Sequence, residues 1–486
     1  MTGRTTFFSA EKRKEAEMHP LKSIISLAEA RKILDENSKE IERTEEAALM
    51  RTCGRVLAQD VKAPIDVPQF DRAAMDGYAV RAEDTFGAGQ MKPKMRCSIE
   101  LRRFRAPEAL AKLRLTGALH AGAAAGGAVK KGTCIQIATG AVMPEGADSV
   151  VMVEETEAEG AIIKIYRAVH PGENVGKKGE DIVAGAIVLK KGELLNPAKV
   201  GVLAALGFEK VQVYAKPKVA VIPSGNEIVE QGKPLPSGKI YDVNSFTLSA
   251  LVAQNGCLPS KEKAAPDSLG AVKEILAKAA QENDLVIISG GSSVGEKDVM
   301  VGAIESIGKV LFHGIAVKPG KPTLCGIVNG KMIIGMPGYP TSCLTNGYGL
   351  LAPLLRKIAH LPPQEPRKVK AKMARRITST IGRFQFLPVK LGMMNDKSIE
   401  SSSHRVFAHR KGAQDAEQSA DCSCVVESGL DRHARLGRLD RLRIIAIPVF
   451  KESGAITSMS LADGYIEIPE NVDLVEKDEE VNVILF

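Results

Sequence analysis

The stretch 289–298, Ser-Gly-Gly-Ser-Ser-Val-Gly-Glu-Lys-Asp, combines residue types that bind phosphate. Glycines let the main chain approach an anion closely, and the unpaired N–H groups at the start of a helix attract negative charge. A carboxylate beside a bound phosphate repels it unless a metal ion lies between them, so Asp298 indicates Mg²⁺ as well as an anion. The alternative is that Asp298 only caps the helix that follows. The residues predicted to contact the anion are Ser289, Gly290, Gly291 and Ser292.

Three further polar loops follow apolar runs that are typical of strands. One ends in Glu227, one holds Lys318 and Lys321 on a rigid Pro/Gly scaffold, and residues 336–342 form the third. Ligands of open α/β sheets bind beyond the carboxyl ends of the strands. Carboxylates for a metal and lysines for an anion at that edge are what a metal-assisted phosphate-ester site needs. Glu227 and Asp298 are the predicted metal ligands.

Polar residues in the first half of the chain supply further candidates. Asp76 lies in the irregular, acid-rich segment 66–80, and such surface segments often carry function. Thr139 lies in a Thr-Gly turn that offers a hydroxyl and free amides to an anion. Asp181 ends the polar, glycine-rich loop 171–181. A domain linker at Asp76 and plain solvated turns at the other two are the alternatives.

Composition excludes several classes of protein. The chain has 486 residues, enough for about three domains with ordinary cores, and 44% of them are hydrophobic. Trp is absent and aromatics make up 4%, so base stacking and nucleic-acid binding are poorly supported. No run of 18 apolar residues exists and residues 1–20 lack an apolar core, so we expect no membrane span and no signal peptide. Eight scattered cysteines favour a reducing compartment, the cytoplasm.

The elements that must position these residues form several domains. From about residue 218, apolar runs alternate with helical patterns, which is typical of a doubly wound α/β domain. Before it, residues 21–57 look mostly helical, with a second helical pattern over 47–56. Short strands around 131–153 predict a small β domain, and strands beyond the Pro-rich linker 361–366 predict a last β domain.

As a set and in this order, the motifs resemble the molybdopterin molybdenumtransferase family, which includes MoeA and the E domain of gephyrin. The resemblance covers nearly the whole chain from about Leu21. The matching residues are Phe70-Asp-Arg-Ala-Ala-Met-Asp-Gly-Tyr-Ala79, Ala138-Thr-Gly-Ala141, Gly179-Glu-Asp181, Ser224-Gly-Asn-Glu227, Ser289 to Asp298, Lys318-Pro-Gly-Lys-Pro322, Pro337-Gly-Tyr-Pro340 and Ser453-Gly-Ala-Ile-Thr-Ser458.

The resemblance implies a homodimer of L-shaped subunits, each with a central molybdopterin-binding α/β domain, small β-rich domains and a C-terminal β-barrel-like domain. It also implies that molybdenum from molybdate is inserted into adenylylated molybdopterin, with Mg²⁺ and release of AMP, and without nucleic acid or membrane. The implied domains are 21–65 with 172–216 for dimerisation, 66–171 as a small β-containing domain, 217–365 as the α/β domain, and 366–486 as the C-terminal β domain.

The same resemblance implies a site shared between two subunits. Asp76 and Thr139 come from one subunit, with Asp181 in support. The partner subunit contributes its acids and lysines from the α/β domain: Glu227, Asp267, Asp298, Lys318 and Lys321. Pro337, Gly338 and Pro340 form a rigid wall for the pterin, and Ser453 contacts molybdate.

Some positions depart from the family pattern. Gly314 stands where many members carry a Lys, and Pro388 stands where some carry an Arg. Tyr339 replaces the usual Asn of the Pro-Gly-Asn-Pro motif. The segments 91–112 and 400–443 look like insertions relative to the family. Two other functions stay open: a molybdopterin adenylyltransferase, which needs only the α/β domain, and a scaffold that binds the cofactor without turnover, as gephyrin partly does.

Overall fold

Residues 24–89, 110–124, 126–266, 268–290, 299–395, 442–449 and 455–486 are described by the computed structural model. The chain divides into two units: Thr44–Tyr214 forms one, and Met1–Arg43 joins Ala215–Phe486 in the other. The four domain ranges expected from the sequence stay predictions.

The first described helix, α1, spans Leu27–Asn37. It begins at Ser26, whose hydroxyl accepts a hydrogen bond from the Glu29 N–H (3.1 Å), while the Glu29 carboxylate accepts one from the Ser26 N–H (3.0 Å). This capping box fixes the start of the helix. One face of α1 is buried in the core of the α/β domain through Leu27, Ala30 and Leu34, as the predicted helical spacing requires.

The helical pattern predicted for 47–56 was wrong. Thr44–Ala48 forms a strand, β1, and Leu49–Arg51 forms a single 3₁₀ turn. β1 pairs antiparallel with Lys210–Tyr214, so that Ala47 lies opposite Val211 in a small apolar core. Glu and Ala both favour helix, but intrinsic propensity is a weak determinant, and pairing with a distant strand overrides it here.

The unit Thr44–Tyr214 consists mainly of short strands. A six-stranded sheet with the order β7-β4-β6-β5-β9-β8 forms its centre, and β1–β12, β2–β11 and β3–β10 form two-stranded pairs. The predicted small β domain is therefore confirmed. After β1, the elements are β2 Val61–Lys62, β3 Arg72–Ala73, β4 Gly77–Val80, β5 Ala111–Leu119, β6 Thr133–Ile137, β7 Ser149–Met152, β8 Thr156–Glu159, β9 Ile162–Ile165, β10 Val175–Gly176, β11 Ile187–Leu189, α2 Pro197–Ala205 and β12 Lys210–Tyr214.

The other unit carries an α/β domain followed by a β barrel. Its α/β elements are β13 Lys218–Pro223, β14 Ile228–Val229, β15 Ile240–Tyr241, α3 Asn244–Gln254, β16 Leu258–Lys261, α4 Leu269–Glu282, β17 Leu285–Ser289, α5 Val299–Ile307, β18 Gly308–His313, β19 Val317–Lys318, β20 Leu324–Val328, β21 Lys331–Met336, α6 Pro340–Asn346 and α7 Ala352–Ile358. A π-helical turn, Gly347–Leu351, joins α6 to α7.

The α/β sheet has the order β16-β13-β17-β21-β20-β18. The first four strands are parallel, and β20 and β18 run antiparallel to their neighbours. Helices α3 and α7 pack on one face of the sheet and α4 and α5 on the other. The doubly wound prediction is confirmed. Because the chain leaves β13 toward β16 and leaves β17 in the opposite direction, the switch point of the sheet lies between β13 and β17.

The C-terminal strands close into a barrel. They are β22 Lys368–Met373, β23 Ile377–Thr378, β24 Phe384–Asn395, β25 Leu442–Pro448, then helix α8 Thr457–Ser460 and strands β26 Gly464–Ile468, β27 Leu474–Val475 and β28 Glu480–Leu485. The order β24-β25-β22-β28-β26 returns to β24 through the β24–β26 pairing, and β19 adds to β24 from outside the ring. In the part of the chain that the structure describes, no helix is long and apolar enough to span a bilayer.

Candidate functional site

The carboxyl ends of three parallel strands meet beside the switch point of the sheet. Pro223 at the end of β13 pairs with Ser289 at the end of β17, which pairs with Met336 at the end of β21. The loops that follow stay in contact: Ser224 donates its N–H to the Ser289 carbonyl (2.8 Å), and Gly290 donates its N–H to the Met336 carbonyl (3.2 Å). The sheet thus brings together the start of the predicted loop 289–298, the loop that ends in Glu227 and the loop 336–342.

Gly290 makes the closest of these approaches. Its φ is +94°, and a Cβ placed there would lie 2.3 Å from the carbonyl oxygen of Ser224. A Cβ on Gly338 would lie 3.6 Å from the Cα of Gly290, so the 337–340 loop also reaches this point. Pro337 is buried and Pro340 begins α6. Position 290 admits only glycine, because the main chain at the end of β13 lies too close for a Cβ there.

Glu227 supplies a carboxylate at this edge. It is exposed, and a Cβ on Gly225 would lie 2.6 Å from either of its carboxylate oxygens, so the carboxylate lies over Gly225. Ala265 donates its N–H to the Pro223 carbonyl (2.8 Å), which joins the loop before residue 267 to this edge. Within the described ranges, no three His, Cys, Asp or Glu side chains gather to hold a metal ion. Asp267, Gly291, Ser292 and Asp298 lie outside the described residues.

The two predicted anion-binding lysines lie close together in the sequence: Lys318 is the last residue of β19, and Lys321 is on the short loop between β19 and β20. Lys318 is exposed, and its Nζ donates a hydrogen bond to Thr380 Oγ1 (3.1 Å) near the barrel. Lys321 is half-buried, and its carbonyl accepts hydrogen bonds from the N–H groups of Ile315 and Thr323 (both 2.9 Å). The main chain of this loop is therefore well fastened.

Ser453 lies outside the described residues, but Ala455, two residues later, is joined by a hydrogen bond to the start of α6. Thr341, the second residue of α6, donates its hydroxyl to the carbonyl of Ala455 (3.0 Å). The start of α6 and the segment around residue 455 are consequently neighbours.

Asp76 and Thr139 form a second cluster, in the unit Thr44–Tyr214. Both the N–H and the hydroxyl of Thr139 donate to Asp76 Oδ1, at 2.7 and 2.9 Å. These two hydrogen bonds, with the main-chain one the stronger, lower the pKa of the Asp76 carboxyl. Both residues are exposed. Two positions 63 residues apart in the sequence thus form one anionic, solvent-facing group.

Asp181 lies on a neighbouring loop of the same unit. Its N–H donates to the Val67 carbonyl (3.0 Å), and its side chain is exposed. No contact described here joins its carboxylate to Asp76 or Thr139. Asp71 helps to join the segment 66–80 to the loop 171–181. It accepts hydrogen bonds from Lys177 Nζ and from the Lys178 N–H, both at 2.9 Å.

Two buried asparagines near the α/β loops escaped the sequence reasoning. Asn244 Nδ2 donates to the Gly338 carbonyl (2.8 Å), and Asn346 Nδ2 donates to the Gly320 carbonyl (2.9 Å). Asn244 begins α3 and Asn346 ends α6, and a single amide at a helix end is a weak sequence signal for a buried polar contact.

The three departures from the family pattern occupy different environments. Gly314 has φ +106° and donates its N–H to the Thr323 carbonyl (2.9 Å). Pro388 is buried in β24, where it pairs with Tyr465. Tyr339 is 64% exposed beside the glycine-rich loops. The Tyr339 ring is thus open to solvent beside these loops, whereas Gly314 and Pro388 are buried.

Comparison with protein families identifies three matching regions. Residues 25–207 match the MoeA N-terminal region (domains I and II), and residues 220–357 match the probable molybdopterin binding domain. Residues 426–486 match the MoeA C-terminal region (domain IV), a range that includes residues 426–443 of the segment predicted as an insertion.

Similar proteins and structures carry related names. A molybdopterin molybdenumtransferase of Haemophilus influenzae is 34% identical over 365 residues, covering 75% of this chain and 85% of that protein. Molybdopterin molybdenumtransferase 2 of Mycobacterium tuberculosis is 35% identical over 358 residues, covering 70% and 84%. A crystal structure of the MoeA molybdopterin biosynthesis protein from Pyrococcus horikoshii superposes with a TM-score of 0.71 at 36% identity, covering 95% of this chain and 99% of that one.

Proposed function

Because the chain belongs to the MoeA family, we propose that it inserts molybdenum from molybdate into adenylylated molybdopterin and releases AMP, a step of molybdenum cofactor biosynthesis. Molybdate is the source of the metal and therefore a substrate. The molybdenumtransferase names belong to the relatives, and the arrangement of residues in this chain supports carrying the activity over.

The observation that carries the proposal is the meeting of glycine-rich loops at the switch point of the α/β sheet. Ser289, Gly290 and Gly338 present main chain where open α/β sheets bind their ligands. Lys318 and Lys321 add positive charge on a loop of the same unit. Molybdate and the pyrophosphate of the adenylate are both anions, and ammonium groups and main-chain N–H groups hold anions well.

We propose Mg²⁺ as the cation of the site, held by Glu227 and Asp298. The Glu227 carboxylate fits this role because it is exposed at the loop edge and contacts no cation among the described residues. Oxygen ligands suit Mg²⁺, which usually keeps several waters and binds through one or two carboxylates. When bound, the ion would offset negative charge that develops on the phosphate during release of AMP. Glu227 and Asp298 would hold it and orient the pyrophosphate, with Asp267 nearby.

We further propose that the protein works as a homodimer with shared sites. Asp76 and Thr139 of one subunit, with Asp181 in support, would face the α/β loops of the partner. The exposed Asp76 carboxylate uses one oxygen for Thr139 and keeps Oδ2 for a ligand. Pro337, Gly338 and Pro340 would form the pterin wall, and Ser453 would contact molybdate. The reaction would take place in the cytoplasm, where unpaired cysteines such as the buried Cys257, Cys325 and Cys343 persist.

The test is AMP release by the purified full-length chain. Adenylylated molybdopterin, molybdate and Mg²⁺ are supplied together, and each is then omitted in turn. We expect AMP to form at a rate that needs all three, and Glu227→Gln to raise the Mg²⁺ concentration for half-maximal rate. A chain that binds the adenylate tightly without releasing AMP would be a scaffold. A chain that forms the adenylate from ATP and molybdopterin would be an adenylyltransferase.

A further inference from the structure

A single buried asparagine fastens the loop that carries Lys318 and Lys321. Asn346, on the last turn of α6, is 1% exposed. Its Nδ2 donates one hydrogen bond to the Gly320 carbonyl (2.9 Å) and another to Thr323 Oγ1 (2.8 Å). The Thr323 hydroxyl donates in turn to the same carbonyl (2.9 Å). Both hydrogens of the amide and both lone pairs of the Gly320 oxygen are thereby used.

The contact leaves no room for another arrangement. A Cβ on Gly320 would lie 2.3 Å from Asn346 Nδ2 and 2.7 Å from Oδ1, so the amide lies flat against the Gly320 main chain. Thr323 is fully buried. The Gly320 carbonyl therefore points into the protein, toward α6.

The direction of this carbonyl decides where the next N–H points. The Gly320–Lys321 peptide is not among the cis bonds of the described chain, and in a trans peptide the C=O and N–H point in opposite directions. With the carbonyl turned inward, the Lys321 N–H faces away from α6. Among the described residues this N–H has no hydrogen-bond partner, although the Lys321 carbonyl has two. A donor without a partner on a lysine-bearing loop is a binding group for an anion.

We propose that Asn346 is a positioning residue for the oxyanion substrate: it holds the Gly320 carbonyl away from molybdate and so presents the main-chain N–H of Lys321 to it. If the peptide turned over, a carbonyl dipole would replace the N–H and repel the anion. The inference rests on the proposed function, in which this loop binds molybdate. The Lys321 N–H is a neutral donor beside the two lysine ammonium groups, and Asn346 sets its direction through the Gly320 carbonyl.

Steady-state AMP release by the full-length chain, with molybdate varied, tests the role. Asn346→Leu keeps the approximate size of the side chain and removes its hydrogen bonds. Asn255→Leu is the matched control, because Asn255 is 3% exposed and its Nδ2 also donates to a main-chain carbonyl, that of Leu251 (2.8 Å). We expect Asn346→Leu to raise the KM for molybdate about tenfold, the loss typical of one hydrogen bond to a charged group. The KM for the adenylate should change less than about twofold.

Thr323→Val gives a second measurement if Asn346→Leu folds poorly. It removes the other donor to the Gly320 carbonyl, and we expect the KM for molybdate to rise in the same direction. The circular-dichroism melting temperature of each variant is recorded beside the kinetics. A lower melting temperature with an unchanged KM for molybdate, in both variants, would make the asparagine purely structural and overturn the proposal.

The Lys321→Ala background separates the N–H from the ammonium group. This variant keeps the N–H of residue 321, so adding Asn346→Leu should raise the KM for molybdate by a further factor similar to that in the wild type. No further effect would mean that Asn346 acts through the lysine side chain, against the proposal. Lys318→Ala tests the proposed function separately. If it leaves the KM for molybdate unchanged, the anion site itself lies elsewhere.

Discussion

At the scale of single residues, Asp76 and Thr139 are the best-defined pair of the candidate site. Thr139 directs two donors at one carboxylate oxygen, which lowers the pKa of Asp76 and keeps it ionised over a wide pH range. The other oxygen stays available. A carboxylate prepared in this way suits a ligand or a cation rather than proton transfer near neutral pH.

We predict that Thr139→Val shifts the acid limb of the pH–rate profile to higher pH. The hydroxyl bond is lost while the main-chain bond remains, so the folded-state pKa of Asp76 rises part of the way to its ordinary value. Protonation then removes the carboxylate at a higher pH than in the wild type. At neutral pH the rate should fall less than about threefold.

The control for this prediction is Thr133→Val, which removes a hydroxyl that bonds to Lys130 in a nearby turn of the same unit. Its acid limb should coincide with that of the wild type. An unshifted limb in Thr139→Val would mean that Asp76 ionisation does not limit the reaction.

Only the family resemblance predicted that Asp76 and Thr139 belong to the same side of the site. Composition marked Asp76 and Thr139 separately, and nothing in a spacing of 63 residues brings them together. The contact depends on β4 and β6 lying side by side, which is a tertiary fact. Asn346 was missed for the same reason, since its partner Gly320 is reached only across the fold.

At the scale of elements, the α/β site depends on how closely the strand ends approach. β13, β17 and β21 end in register, and the loop after β17 passes against Ser224. The sequence predicted these strands well because continuous apolar runs are typical of buried parallel strands. It failed at β1, where a polar strand is held by its partner rather than by its own pattern.

We predict that Gly290→Ala disrupts the loops while Gly330→Ala is tolerated better. Both glycines have positive φ, +94° and +73°, so both variants incur backbone strain. Only at Gly290 would the new Cβ also meet an atom, the Ser224 carbonyl oxygen at 2.3 Å; nothing lies within 4 Å at Gly330. The melting temperature and adenylate affinity of Gly290→Ala should fall more. Equal effects of the two variants would contradict a close approach of the loops.

The amino end of β17 offers a second prediction, because the carboxylate of Asp284 just before it is 6% exposed and paired. Burial opposes its ionisation, but hydrogen bonds from Arg43 (2.8 and 2.7 Å) and from the Lys218 N–H (2.8 Å) outweigh burial and lower its pKa. Arg43→Met should cost about 1–3 kcal/mol of unfolding free energy at pH 7. Arg43 is half-exposed and Lys331 stays 3.6 Å away, so the loss should not be larger.

The pH dependence of this loss has a definite sign. A carboxyl whose pKa is lowered by folding stabilises the protein above its ordinary pKa, and this contribution disappears as the pH falls through the folded-state pKa. Urea unfolding should therefore show a difference between wild type and Arg43→Met that is full at pH 7 and shrinks below about pH 4. Lys32→Met, which breaks an exposed 3.8 Å pair with Glu36, should cost less than about 0.5 kcal/mol at either pH.

At the scale of the whole molecule, the family assignment covers both units of the chain. The site residues predicted in the two units lie far apart in the sequence. The overall class of fold was predictable, since alternating strands and helices indicate an α/β domain and a later run of strands indicates a β domain. The barrel was predicted only through the family resemblance, because its closure depends on the pairing of β24 with β26 across an intervening stretch of chain. The proposed homodimer likewise has no local pattern in the sequence that would predict it.

We predict that two inactive variants complement each other if sites are shared between subunits. Asp76→Ala and Glu227→Ala are mixed and their subunits allowed to exchange fully. About half of the dimers should be mixed, and each of these has one site with both defects and one with neither. AMP release should recover to about a quarter of the wild-type rate by the same counting.

Subunit exchange is verified separately, by following resonance energy transfer between differently labelled wild-type subunits. With exchange complete, no recovery of AMP release would place both acids in the site of a single subunit. Glu227→Ala mixed with Asp298→Ala serves as the matched control, because both changes fall on the same side of the proposed shared site and should not complement.

The facing residues of β24 and β25 have a practical consequence. Asn395 is paired with Leu442, so the two ends of the connection between β24 and β25 lie opposite each other at one rung of the sheet. The free energy of closing such a connection grows with the logarithm of its length, by about 0.6 kcal/mol for each doubling. The ring of strands consequently places little restriction on how much polypeptide is spliced in there. For protein engineering, we expect that a reporter domain or an affinity tag can be inserted in this connection without changing the strand pairing of the barrel.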